Sequence, residues 1–332
     1  MNGGKKRHMY KIRIISCYFG ELKPEFYLWL NSCGYNKFVD FLFVTDQKID
    51  SNICPENVTI KQTTLNAIKK VADEIFKFNV ELSTPYKLCD YKVAYGLIFQ
   101  EELKQYDFWG YCDSDMVLGN IRKYITDEIL NEYDKILPLG HLSLYRNTDE
   151  INRRFMECPN IMDYHEVFSS PQIYQFDETP GIYTMYKKRN WRMLEYIPFL
   201  DIVSGYNQRL TKYVYAKRMY GVQVQNNTQQ IFCFARGEII EKYRNKKNKL
   251  CENGYIYIHS SKRHYQCPYN EIPKQYVFMP DKICEIDNVD DIDNLSDYSK
   301  KINCTIEKML LQILTLKGKV KNKIRLLVKG GK

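Results

Sequence analysis

Apolar positions along this chain recur in two alternating rhythms. Lys11–Phe19, Asp40–Thr45, Val58–Gln62 and Phe108–Cys112 are short β-branched or aromatic runs, and Gly20, Asp46 and Asp113 close three of them. Runs of this length and content predict buried strands. Between them, Glu25–Cys33, Leu65–Phe78 and Lys87–Gln105 repeat their apolar residues at helical spacing. Pro24 opens the first of these, where its missing N–H costs nothing. Strand and helix in turn predict a mostly parallel α/β sheet flanked by helices.

Beyond it, Asn120–Leu130 predicts a helix and Thr148–Met156 another, capped by Thr148. Lys135–Leu139, Leu142–Tyr145, Gly181–Tyr186, Phe199–Val203, Val222–Val224, Ile231–Phe234 and Tyr255–His259 predict short strands, with a turn-rich loop over Phe168–Pro180. The expected organisation is a disordered leader (1–9) and one large α/β body (10–280). The body divides into a nucleotide-binding half (10–130) and an acceptor half (131–280). An acidic linker (281–303), whose Asp281–Asp297 stretch reads as a solvated linker or an acidic face, and a basic amphipathic helix (304–332) follow. That last segment interleaves Leu310, Leu311, Ile313, Leu314, Leu316, Val320, Ile324, Leu326 and Leu327 with Lys317, Lys319, Lys321, Lys323 and Arg325. The stripe suits the interface of an anionic membrane and equally a helix docked on the protein's own core.

The net charge of +9 calls for an anionic partner. No zinc-finger spacing, recognition-module signature or compact arginine cluster points to nucleic acid, so a nucleotide diphosphate or anionic lipid fits better. Twenty-eight tyrosines against three tryptophans favour polar clefts lined with rings, although residue bias of the genome gives the same excess. The 11 cysteines are odd in number, scattered, and without a C-x-x-C pair or a preceding secretory signal. They read as reduced thiols in a cytoplasmic protein. No run approaches the roughly 18 apolar residues of a membrane span.

The most informative triplet is Asp113-Ser114-Asp115, directly after the Phe108–Cys112 run. Ligands collect at the carboxyl ends of strands in such sheets, and two acids one residue apart can approach one hard divalent cation beside a diphosphate. An isolated D-x-D is a solvated turn; the strand before it and the helical pattern after it favour the metal. Ser16–Gly20 ends the first strand at a glycine, which permits close approach of a nucleotide or makes a simple turn. Lys87–Lys92 gathers two lysines and Asp90 at a helix start, as capping or as a site. Asp177 and Glu178 sit in an aromatic, proline-bracketed loop, as a general base, as clamps for an acceptor hydroxyl, or as exposed loop. Tyr255–His259 delivers a histidine just before Lys262 and Arg263, cations able to stabilise a departing diphosphate.

Taken together, Lys87–Lys92, Tyr106–Asn120, Gly140–Asn147, Phe176–Glu178 and His259–Lys262 resemble an uncharacterised bacterial family whose members look like GT-A-fold glycosyltransferases from capsular and other surface-polysaccharide gene clusters. The resemblance covers residues 10 to 265 and implies a GT-A-like nucleotide-diphospho-sugar transferase fold. It implies that Asp113, Asp115 and a late His259 hold Mn²⁺ or Mg²⁺, and that Lys262 meets the phosphates. It places Tyr18, Asp46, Asp90, Lys92, Asp113 and Ser114 on the nucleotide, and Asp177 or Glu178 beside the acceptor. The implied reaction moves a sugar from a nucleotide sugar, a UDP-sugar foremost, to a saccharide or lipid-linked acceptor, at the inner face of the plasma membrane if the basic tail engages it. Two rivals remain. A nucleotidyl or phosphoryl transferase would use the same acids, but no G-x-x-x-x-G-K-[ST] loop is present. A non-catalytic carbohydrate-binding protein would keep the aromatic cleft without needing the acids and His259 together.

Overall fold

A computed structural model of the chain describes residues 9–195, 197–201, 211–215, 222–224, 229–260, 272–279 and 282–298. In chain order the strands are β1 (Ile12–Tyr18), β2 (Asp40–Thr45), β3 (Val58–Gln62), β4 (Phe108–Cys112), β5 (Met116–Leu118), β6 (Lys135–Ile136), β7 (Leu142–Arg146), β8 (Met193–Leu194) and β9 (Phe199–Asp201). They continue as β10 (Thr211–Tyr215), β11 (Val222–Val224), β12 (Gln230–Ala235), β13 (Glu238–Arg244), β14 (Leu250–Tyr255), β15 (Tyr257–His259), β16 (Gln275–Phe278) and β17 (Ile283–Glu285).

The central sheet has seven strands in the order β3-β2-β1-β4-β7-β6-β8. The first four run parallel, with Ile14 against Phe41 and Gly110, and Phe41 against Val58. β7 enters antiparallel to β4, setting Cys112 opposite Leu142. This arrangement fits a GT-A-like α/β fold, mostly parallel and flanked by helices. Both faces of the sheet are buried, which is why β1 and β4 read as continuous apolar runs. Ile15, Trp109 and Tyr111 face a core with Tyr91 and Tyr95, while Ile14, Phe108 and Cys112 face another with Phe26 and Trp29.

The strands β1 to β4 lie where the sequence predicts them. The helix predicted to run to Phe78 stops at Phe76, because Lys77 adopts a left-handed conformation (φ 62°). Lys87–Gln105 is not one helix: it breaks at Ala94 and Phe99, whose backbones leave helical geometry. Gly96 there packs so tightly on the Trp109 indole that a Cβ would lie 2.7 Å from it. The Asn120–Leu130 segment is likewise two short helices, Ile121–Tyr124 and Asp127–Glu132, the first capped by Asn120. Thr148 caps its helix as expected, accepting from Ile151 N–H.

One expectation is overturned. Gly181–Tyr186 is helical rather than extended, within a π turn over Thr179–Tyr183 and a helix over Thr184–Arg189. The buried residues Ile182, Met185 and Tyr186 keep i, i+3, i+4 spacing, and packing of that stripe overrides the β-propensity of the segment. Of the two readings of Asp281–Asp297, a solvated linker or an acidic face, the described stretch from 282 to 298 is the acidic face, folded onto the body. β17 pairs with β16, and Ile283, Val289, Ile292 and Leu295 are buried beneath the acids.

The predicted halves are also joined. β5 and β15 pair across them in a second sheet, β11-β10-β9-β15-β5, and a third, antiparallel sheet runs β14-β13-β12-β16-β17. The leader up to residue 8 and the basic segment 304–332 lie outside the described residues. Among the described residues, no helix is long and apolar enough to cross a membrane, and nine cysteines are free thiols.

Candidate active site

The central sheet carries its acids where β4 ends. After Cys112 the chain bends through Asp113-Ser114-Asp115 and returns as β5. β15 lies antiparallel to β5 with His259 opposite Met116, and the Ser260 N–H bonds to the Asp115 carbonyl at 2.9 Å. This register carries His259 across some 140 residues of sequence onto the acids. One ligand atom each from Asp113, Asp115 and His259 lie within 4.8 Å of one another. His259 Nε2 stands 3.5 Å from Asp115 Oδ1.

A second acidic pair faces the first across a lysine. Lys92 Nζ donates to Asp113 Oδ1 at 2.6 Å and to the Gly140 carbonyl at 2.9 Å, and lies 3.3 Å from Asp177 Oδ2. Burial pulls the Lys92 ammonium down, but Asp113 and Asp177 together hold it well above the ordinary lysine range. Burial raises the Asp177 carboxyl, against the pull of Lys92, and raises Glu178 with Asp177 adding to it. Two buried acids, both shifted upward by burial, thus sit beside two exposed enough to meet an ion.

Gly140 is the hinge of this packing. Its N–H donates to Glu178 Oε1 at 3.1 Å, and a Cβ there would lie 2.7 Å from Glu178 Oε1 and closer still to Asp177 Oδ2. Gly140→Ala is therefore expected to push both carboxylates aside, costing about 1–3 kcal/mol of stability as overpacking does. Urea unfolding measures it; an unchanged midpoint would mean that the loop gives way freely.

Residues 14–287 match the model of DUF6625, a family of unknown function. The chain belongs to the DUF6625 family. The matched stretch contains Lys92, the acid triplet, Asp177, Glu178 and His259. No curated protein matches the sequence. Among solved structures, mouse xyloside xylosyltransferase 1 is similar over 59% of this chain and 88% of its own, at 11% identity and a TM-score of 0.40. A glycosyltransferase involved in glycosylation of the major capsid of PBCV-1 is similar over 56% and 81%, at 11% identity and 0.32. The glycosyltransferase GlyE of Streptococcus pneumoniae is similar over 56% of this chain but only 45% of its own length, at 12% identity and 0.32. Likenesses this distant carry no assignment, and the site of this DUF6625 member is argued from its own residues.

Of the other predicted site residues, Tyr18 and Asp46 stand together at the carboxyl ends of β1 and β2. Asp46 accepts from Gly20 N–H at 2.9 Å, and the Tyr18 hydroxyl donates to the Glu21 carbonyl at 3.1 Å. Ser114 is half-buried between the two acids. Asp90 needs correction: it is fully buried, and its oxygens accept from Lys87 Nζ and from the N–H groups of Tyr174 and Phe176. Its carboxylate fastens the loop that presents Asp177 and touches no open surface. Lys262, and Arg263 with it, lie outside the described residues.

Sequence reasoning assigned no role to His141 in this DUF6625 chain. Its ring stacks on His259 with centroids 3.8 Å apart, and burial first, then His259 and Lys92, hold its pKa well below the ordinary histidine range. The stacked ring packs against His259 and restricts its orientation. Lys135 on β6 also went unassigned: fully buried, it donates to Ser143 Oγ at 2.7 Å and to the Leu137 carbonyl at 2.6 Å, bracing the turn before Gly140.

Proposed function

We propose that this DUF6625 member is a metal-dependent glycosyltransferase. It takes a sugar from a nucleotide-diphosphate sugar, a UDP-sugar foremost, and gives it to a saccharide or lipid-linked acceptor in bacterial surface-polysaccharide synthesis. The observation that carries this is the convergence of Asp113, Asp115 and His259 within 4.8 Å at a strand's carboxyl end. Two carboxylate oxygens and an imidazole nitrogen are a fitting donor set for Mn²⁺, and a less complete one for Mg²⁺, which prefers oxygen alone. When bound, such an ion supplies positive charge to a leaving diphosphate.

The chain's own groups supply the rest. Asp113 and Asp115 hold the donor side, with Tyr18 and Asp46 at the neighbouring strand ends for the nucleoside. Lys92 fixes the distance between Asp113 and Asp177, so that donor and acceptor sides keep one geometry. Asp177, backed by Glu178, faces the acceptor. In an inverting transfer its carboxylate takes the proton of the attacking hydroxyl, while a retaining transfer asks of it only the positioning of that hydroxyl.

Release of nucleotide from a panel of UDP-, GDP-, ADP- and dTDP-sugars, with Mn²⁺, with Mg²⁺ and with chelator, tests the proposal. Release from at least one sugar nucleotide, lost on chelation and restored by Mn²⁺, is expected. A folded protein that releases nucleotide from none of them under any condition would refute it, and retained sugar binding would then favour a carbohydrate-binding role.

A further inference from the structure

The segment leading into Lys92 ends in an exposed ring that the assigned site does not use. Tyr86 lies in the one-turn helix Pro85–Lys87 and is 67% exposed. Its ring and hydroxyl have no partner among the described residues. A lone exposed aromatic is ordinary on a surface; the placement of this one is not.

Tyr86, Cys89 and Lys92 recur every third residue, and side chains three apart share one face of a helical stretch. The helical links are in place: Cys89 Sγ donates to the Tyr86 carbonyl at 2.9 Å, and Lys92 N–H bonds to the Cys89 carbonyl. The stripe therefore runs from the ammonium that bridges Asp113 and Asp177 outward to the ring. The Tyr86 hydroxyl is held above the ordinary tyrosine range by partial burial first, then by Cys89, Asp113 and Asp177, which puts both carboxylates within electrostatic reach.

The turn that carries the ring is held in place. The ring's neighbour Lys87 is buried and donates to Asp90 Oδ2 at 2.8 Å, to the Val167 carbonyl at 2.8 Å and to the Gln172 carbonyl at 2.6 Å. A turn fastened at three points cannot fold its exposed neighbour back into the core. Tyr95, nine residues on, interacts with Cys17 of β1 on the nucleoside side. Lys87, the residue after Tyr86, is bonded to the carbonyls of Val167 and Gln172, in the segment that runs on to Asp177. With Asp90 holding Tyr174 and Phe176 in the same way, Tyr86 stands on the side of Asp177.

We propose that Tyr86 is the stacking platform for the acceptor sugar, its ring covering the apolar C–H face of a pyranose whose hydroxyl points toward Asp177. This rests on the glycosyltransferase proposal for the reaction, but the binding itself does not need turnover. An aromatic face on a fastened turn, with a wet edge, suits a ligand that is apolar on one face and polar around its rim.

Saturation-transfer NMR with methyl glycosides of glucose, galactose and N-acetylglucosamine reads the platform directly. At least one glycoside is expected to bind the wild type, with weakening of about three- to tenfold in Tyr86→Ala and near-wild-type binding in Tyr86→Phe. Octyl glycosides of the same sugars then serve as acceptors, where Tyr86→Ala should raise the acceptor KM by a similar factor and leave the nucleotide-sugar KM unchanged. Glycoside binding that is absent from the wild type or intact in Tyr86→Ala overturns the platform, as does a loss confined to the nucleotide sugar. Tyr86-dependent glycoside binding in a protein that releases no nucleotide would support the platform while refuting the transferase. Because Tyr86 is exposed, its replacement should leave the melting temperature unchanged.

Discussion

Asp115→Asn is expected to lower the rate of nucleotide release at least about a hundredfold, the usual order for losing one principal electrostatic element of an active site. Asparagine keeps the size of the side chain and removes its negative charge. The tie between β5 and β15 survives, because Ser260 N–H bonds to the Asp115 main-chain carbonyl rather than to the carboxylate. The side chain is 37% exposed, so the folded state loses little. Metal titration should therefore weaken while the melting temperature stays close to the wild type. His259→Ala should move metal affinity in the same direction by a smaller factor, since it supplies a neutral ligand and the two carboxylates remain. Rates in Asp115→Asn within about threefold of wild type, or full activity in excess chelator, would remove the metal from the mechanism.

The residues that made this site legible were the ones whose local pattern and tertiary role agree. β1, β2 and β4 are largely buried on both faces, and their apolar runs close at Gly20, Asp46 and Asp113, so their bounds follow from composition alone. Asp113 and Asp115 follow β4 at once and could be placed on the sheet's rim without knowing any partner. His259 was marked by its strand, yet its proximity to the acids depends on the β5–β15 register, which no local pattern encodes.

Other features escaped because a long-range partner reverses what a residue ordinarily signals. Glu241 and Lys242 on β13 look like a solvated face, but both are buried: Glu241 accepts from Asn253 and the Tyr255 hydroxyl, and Lys242 donates to the Val289 carbonyl. The third sheet was accordingly missed except for β12 and the end of β14. Asp90 has the look of a ligand and is instead satisfied by a loop more than eighty residues away. Gly140 and His141 lie in a segment whose likeness to a family was noted, but only the packing of Asp177, Glu178 and His259 around them gives each a task.

Lys92→Met is expected to damage both activity and stability, and to do so in a pH-dependent way that identifies its partner. Methionine keeps much of the stem's bulk and removes the charge. Asp177 is 3% exposed, and Lys92 is the strongest influence opposing the upward push of burial on its carboxyl. Removing one partner of a buried pair costs about 3–5 kcal/mol when the other is left charged. Here Asp177 can escape by staying protonated, which lessens the loss of stability and removes the carboxylate that would accept a proton. Nucleotide transfer at neutral pH should fall about a hundredfold or more.

The sign of the pH dependence follows from linkage. A carboxyl raised in the folded state binds its proton more tightly there than in the unfolded chain. Its contribution to stability is full below the unfolded value and is lost as pH rises through the folded one. In the wild type this loss begins in the ordinary carboxylate range and extends upward for Asp177 and Glu178. In Lys92→Met the upper edge for Asp177 moves higher still. The deficit against wild type should then be small in acid and grow toward neutrality, where the wild-type ammonium and carboxylate attract each other. Lys92→Arg, which retains the charge, should recover most of the stability. Urea unfolding across a pH series reads this directly, and a deficit constant with pH or largest in acid would show that Lys92 acts through bulk rather than through Asp177.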